Sequence, residues 1–149
     1  MVPIFMFFLL FIAGVIGIIY TVKNNGKLSE IVSKEKLIAH YRNLKIGDSE
    51  TFKTNSWKGH IKIYENILIV ENDTYFHHIV LNTKKLKVKK QPMTIYLEQI
   101  TIKDDTLVLQ GIKHRVFGNS HITIRIKSNT KNELMAINES IHSCFAKNA

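Results

Sequence analysis

Gly59-His60-Ile61-Lys62-Ile63-Tyr64-Glu65-Asn66-Ile67-Leu68-Ile69-Val70 is the stretch whose pattern decides the fold. From His60 to Tyr64 polar and apolar residues alternate, the period of a strand with one buried face. Glu65-Asn66 supplies a turn, and Ile67 to Val70 resumes the apolar pattern. The segment therefore predicts two strands closely joined.

The same period extends outward in both directions. On the N-terminal side Thr51 to Trp57 predicts a first strand. On the C-terminal side Asn72-Asp73 is a second turn and Tyr75 to Leu81 the next strand. Lys85 to Lys89 places Leu86 and Val88 on one face and three lysines on the other, and Pro92 marks a boundary. Thr94 to Ile102 and Leu107 to Ile112 read as a hairpin about Asp104-Asp105, with a short stretch from His114 to Phe117 beyond it. Gly118-Asn119 turns into Ile122 to Ile126, which alternates cleanly. The chain ends in a helix opened by Asn129 or Thr130, with Leu134, Ile137, Ile141 and Phe145 on its apolar face.

About seven short strands followed by one amphipathic helix resembles a pleckstrin-homology-like (PH-like) barrel, and the texture is similar to bacterial PH-like and GRAM-type domains. Gly59 to Val70 is similar to their opening hairpin. Ile122 to Lys127, leading into Glu133-Leu134-Met135-Ala136-Ile137, resembles their last strand and helix. The resemblance covers about residues 50–146. It implies an α+β domain, a small antiparallel β-barrel or sandwich closed at one end by the C-terminal helix. The terminal helix lacks the tryptophan common in eukaryotic PH domains, and Trp57 stands near the start instead. The basic motif of phosphoinositide binders is not evident in the first strand-loop-strand, so no lipid specificity carries over.

Upstream, the period becomes helical. Leu28, Ile31, Val32, Leu37, Ile38, Tyr41 and Leu44 predict an amphipathic helix closed by Gly47-Asp48. Asn24-Asn25-Gly26 predicts a break before it. Val2 to Val22 carries no charge, and as a helix would be about 31 Å long, close to the roughly 30 Å of a bilayer core. It reads as a transmembrane anchor. A cleaved signal peptide would carry a basic leading region, a shorter apolar stretch and a small-residue cleavage site. The expected organisation is an anchor over residues 1–23, a juxtamembrane helix over 24–48 and a PH-like domain over 49–149. Lys23, Lys27, Lys34 and Lys36 follow the apolar run, which by the positive-inside rule places the C-terminal part in the cytoplasm at the inner (cytoplasmic) membrane.

The chain carries 21 Lys and Arg against 12 Asp and Glu, a formal net charge of +9. At a bilayer this predicts anionic headgroups or an acidic partner. Nucleic acid is not favoured, because no helix-turn-helix, zinc-finger spacing or RNA-binding aromatic pattern is present. Lys84, Lys85, Lys87, Lys89 and Lys90 form the densest cationic cluster. Arg125 and Lys127, with Lys113 and Arg115, extend it if their strands are neighbours. Lysines that blunt a strand edge are the plainer reading of such a cluster.

Seven histidines raise the question of a metal. His77 and His78 are adjacent and would point to opposite faces of a strand. His114 and His121 could meet across a hairpin, but without a further ligand at zinc spacing. Cys144, the single cysteine, reads as a core residue. No phosphate loop, nucleophile elbow or HExxH is present. No catalytic residue, cofactor or metal is expected. The expected activity is binding or scaffolding at the membrane surface. The alternative is a small accessory or immunity-type subunit that binds one membrane-associated protein.

Overall fold

The computed structural model describes residues 4–50, 57–72, 76–81, 94–115 and 118–146. Met1–Lys34 and Glu35–Ala149 form two compact units.

The first unit is one helix, α1 (Ile4–Lys34). Its backbone stays helical through Asn24-Asn25-Gly26, so the predicted break is absent. Asn and Gly each cost only about 0.5–1 kcal/mol in a helix interior, and no proline reinforces them. Near its end Lys34 pairs with Glu30 one turn back at 2.7 Å. The described apolar side chains are exposed on every face, with Phe5 and Phe11 both at 70 %. Among the described residues no helix is long and apolar enough to cross a membrane, so the expected transmembrane helix is not supported there.

The second unit is a closed seven-stranded barrel in chain order. Its strands are β1 (Leu37–Asp48), β2 (Trp57–Tyr64), β3 (Ile67–Asn72), β4 (Phe76–Val80), β5 (Thr94–Lys103), β6 (Thr106–Arg115) and β7 (Gly118–Lys127). The terminal helix α2 (Lys131–Ala146) follows β7. The expected α+β class, β-barrel and C-terminal helix are all present. Gly118-Asn119, expected as a turn, already belongs to β7. Of the strand expected over Thr51 to Trp57 only Trp57, which opens β2, is among the described residues; residues 51–56 and 85–89 lie outside them.

Two corrections concern the barrel wall. The predicted helix over Leu28 to Leu44 is wrong from Leu37 onward, where the chain is β1. The register shifts between Tyr41 and Leu44, and Asn43 sits in the left-handed region at φ 58°. That bulge puts two consecutive core-facing residues, Tyr41 and Leu44, three apart instead of two, which imitates helical spacing. Beyond it the inward residues Leu44, Ile46 and Asp48 alternate as a strand requires. Second, the barrel is not wholly antiparallel: β4 and β5 pair in parallel, His78 with Thr94 and Val80 with Tyr96. A parallel neighbour demands a crossover of about a dozen residues or more, and the connection from Leu81 to Met93 has that length.

Inward residues of all seven strands build one core, and α2 closes it with Leu134, Ile137, Ile141 and Cys144. Cys144 takes the fourth core position; Phe145, expected there, packs beside it half-buried. Thr130 caps α2, its Oγ1 accepting from the Glu133 amide at 3.2 Å. Tyr41 Oη and Ser140 Oγ, 3.1 Å apart, tie α2 to the early part of β1. At the β2–β3 turn the Glu35 carboxylate accepts from the Asn66 amide group at 2.9 and 3.0 Å. β5 bulges between Leu97 and Gln99, and Gly111 faces that point. A Cβ at Gly111 would collide with the Tyr96 carbonyl oxygen.

Candidate binding surface

Barrel closure brings together cations that are far apart in sequence. Lys45 on β1 is opposed by Lys58 on β2 and by Lys127 on β7. Opposed side chains share a face with Cβ atoms about 4.5–5.5 Å apart, so three lysines form one outward row. Their strand neighbours explain the direction: Leu44 and Ile46, and Ile126 before Lys127, are fully buried inside. Arg125 lies two residues before Lys127 on the same outer face, and both are exposed. The row continues over β6 to Lys103 on β5, whose partner is Thr106. Across five strands at about 4.8 Å spacing it extends for about 19 Å.

Beside this row the outer face of β5, β6 and β7 is hollowed into a polar groove of about 550 Å³. Lys103, Arg125 and Lys127 border it, Thr101, Gln110 and Thr123 contribute hydroxyl and amide groups, and Asp104 is the one acidic residue among the described residues that line it. Among the described residues, none of Lys45, Lys58, Lys103, Arg125 and Lys127 has a carboxylate within ion-pair distance. Like charges directly opposed across strands are destabilising, so this face costs the barrel some stability.

The remaining predicted cations divide. Arg125 and Lys127 belong to the row just described. Lys84, Lys85, Lys87, Lys89 and Lys90 lie outside the described residues. Lys113 does not extend the surface: it follows the inward Leu107 and Leu109 by parity and is only 4 % exposed. Its Nζ donates to Glu50 Oε2 at 2.6 Å, and the Arg115 guanidinium grips the other oxygen of the same carboxylate. Burial acts to raise the Glu50 carboxyl, but the two cations prevail and hold it below the ordinary carboxylate range.

This ion-paired cluster sits at the barrel end opposite α2, where β1 finishes, β4 begins and β6 finishes. There His77 Nε2 and Asp48 Oδ2 lie 2.9 Å apart, both side chains buried. Asp48 Oδ1 also accepts from the Glu50 amide at 2.9 Å. Sequence reasoning passed over Asp48 and Glu50. The available signal was Lys113 itself, a lysine at an inward position of an otherwise apolar strand, which requires a carboxylate.

The histidines part company as their strand positions require. His77 faces inward to Asp48, while His78 faces the other way and is buried there. Burial, with His77 adding, lowers the His78 imidazole to about 4. His114 Nδ1 meets Asn119 Oδ1 at 2.6 Å and its ring packs edge-on to Tyr96. His121 lies 3.9 Å from Glu98 instead, so the two do not share a ligand site. Among the described residues no three ligating groups converge on a common point. No protein-family model matches the chain, and no curated protein matches it as a relative.

Proposed function

We propose that this protein is a membrane-anchored binding module: the uncharged segment Val2 to Val22 crosses the inner membrane once and the barrel works at its cytoplasmic surface. The observation that carries the reading is the character of α1. From Phe5 to Tyr20 it exposes large apolar side chains on all sides with no polar stripe. A soluble helix keeps one polar face, and contiguous exposed apolar surface of this extent marks a membrane or interaction site. With the flanking residues of the sequence the uncharged run reaches Val22, enough to span. Lys23, Lys27, Lys34 and Lys36 then bias the barrel to the cytoplasmic side.

The barrel is read as PH-like from its strand count and closing helix; the parallel β4–β5 pair is a departure from that pattern. Its role is recognition, with the cationic face as the recognising surface. A second reading, an accessory or immunity-type subunit bound to one membrane protein, is favoured by one observation: the groove is recessed and polar-floored, better suited to a chain than to a flat headgroup plane. β7 pairs with β1, so the described strands leave no open sheet edge for a partner strand. Protease treatment of sealed inside-out and right-side-out inner-membrane vesicles tests the topology. Cleavage within residues 35–149 is expected only in inside-out vesicles; cleavage only in right-side-out vesicles overturns the reading.

A further inference from the structure

We infer that the groove across β5, β6 and β7, with its lysine row, holds an extended acidic segment of a partner protein. Three features select that occupant. Lys103, Arg125 and Lys127 border one groove across β5, β6 and β7, and an extended chain presents same-face side chains at steps of about 6.8 Å. Alternate acidic residues of one segment would therefore meet them. Second, the floor between the cations offers Thr101, Gln110 and Thr123, which satisfy the backbone and side-chain polar groups of an inserted chain. A bilayer surface cannot follow the face into that recess. Third, among the described residues no aromatic ring lines the groove, so they offer no stacking platform of the kind single-stranded nucleic acid uses.

Closure of the barrel gives the same answer from another side. With no free edge, main-chain strand addition is unavailable at the described strands, and recognition falls to side chains. Lys45, Lys58 and Lys127 then have a use that offsets their mutual repulsion. The inference deepens the binding-module reading by naming the partner's chemistry, and it does not depend on how α1 is disposed.

The test uses the full chain in neutral phosphatidylcholine nanodiscs and a fluorescein-labelled ten-residue peptide of alternating Glu and Ser. Fluorescence anisotropy is expected to show binding that weakens about tenfold between 50 and 300 mM NaCl. The double charge reversal R125E/K127E is expected to weaken it by at least about tenfold, and R125Q/K127Q by an intermediate amount. Circular dichroism of each variant establishes that the barrel is intact. Absence of peptide binding, or binding unchanged in the folded charge-reversed variant, overturns the inference. So does a ten-residue oligothymidine, or a phosphatidylserine vesicle, that binds this face more tightly than the peptide. Failure here leaves the vesicle topology result standing, and failure there leaves this binding standing.

Discussion

Replacing Glu50 with alanine removes the only acidic partner described for Lys113, whose side chain is 4 % exposed. Breaking a buried ion pair from one side typically costs about 3–5 kcal/mol, because the surviving charge remains desolvated. Glu50 is 24 % exposed and Arg115 49 %, so water reaches part of the cluster and the loss should be smaller. We expect about 2–3 kcal/mol. For a unit of roughly 115 residues this lowers the thermal midpoint by about 8–12 °C. The assay is unfolding of the full chain in nonionic micelles, followed by the fluorescence of the single tryptophan, Trp57, at the start of β2. The companion Glu50→Ala/Lys113→Met removes both charges and should recover all but about 1 kcal/mol. The pH dependence has a fixed sign. The Glu50 carboxyl is depressed in the folded state, so its contribution is present above the ordinary value of 4.5 and lost as pH falls through the folded value. Glu50→Ala should therefore flatten the acid limb below about pH 4.5. A single variant within about 0.5 kcal/mol of wild type, or a double variant no better than the single, would refute the claim that the pair pins the barrel end.

Three further substitutions test other joints. His78 is buried and neutral in the folded state, so the barrel should lose on the order of 3 kcal/mol as pH falls from about 6.5 to about 4, and His78→Leu should remove that slope in a pH series of guanidinium midpoints. Asp104 and Asp105 both have positive φ, 49° and 54°, in the two-residue turn between β5 and β6. Asp105→Gly should stabilise by about 0.5–1 kcal/mol, read as a midpoint a few degrees higher. Gly111→Ala forces a Cβ against the Tyr96 carbonyl at the β5 bulge and should cost about 1–3 kcal/mol by chemical denaturation.

Local alternation made much of the fold legible. Ile61 and Ile63, Ile122 to Ile126, and the Leu134–Ile137–Ile141 face of α2 are all where their spacing puts them, because each faces one core. What misled was a single extra residue. The β1 bulge at Asn43 shifts the inward parity, and a strand then carries the spacing of a helix. The parallel β4–β5 pair was illegible for a different reason: strand direction is set by a long crossover, not by the strands' own residues. The candidate site follows the same division. Arg125 and Lys127 were visible as alternating cations on one strand. Lys45 and Lys58 were not, because only the register of β1 against its two neighbours sets them beside Lys127. Lys113 was misassigned because charge alone does not tell inward from outward.

The proposed membrane attachment rests on the uncharged first segment. The apolar residues of that run together favour insertion by several kcal/mol, while each lysine near its centre opposes it by about 2.5–3.5 kcal/mol. Leu10→Lys/Ile12→Lys should therefore tip the balance, leaving the barrel untouched. Alkaline carbonate extraction of membranes measures this directly. The native chain is expected to stay with the membrane pellet and the double variant to be released to the supernatant. Release of the native chain, or retention of both, would contradict it.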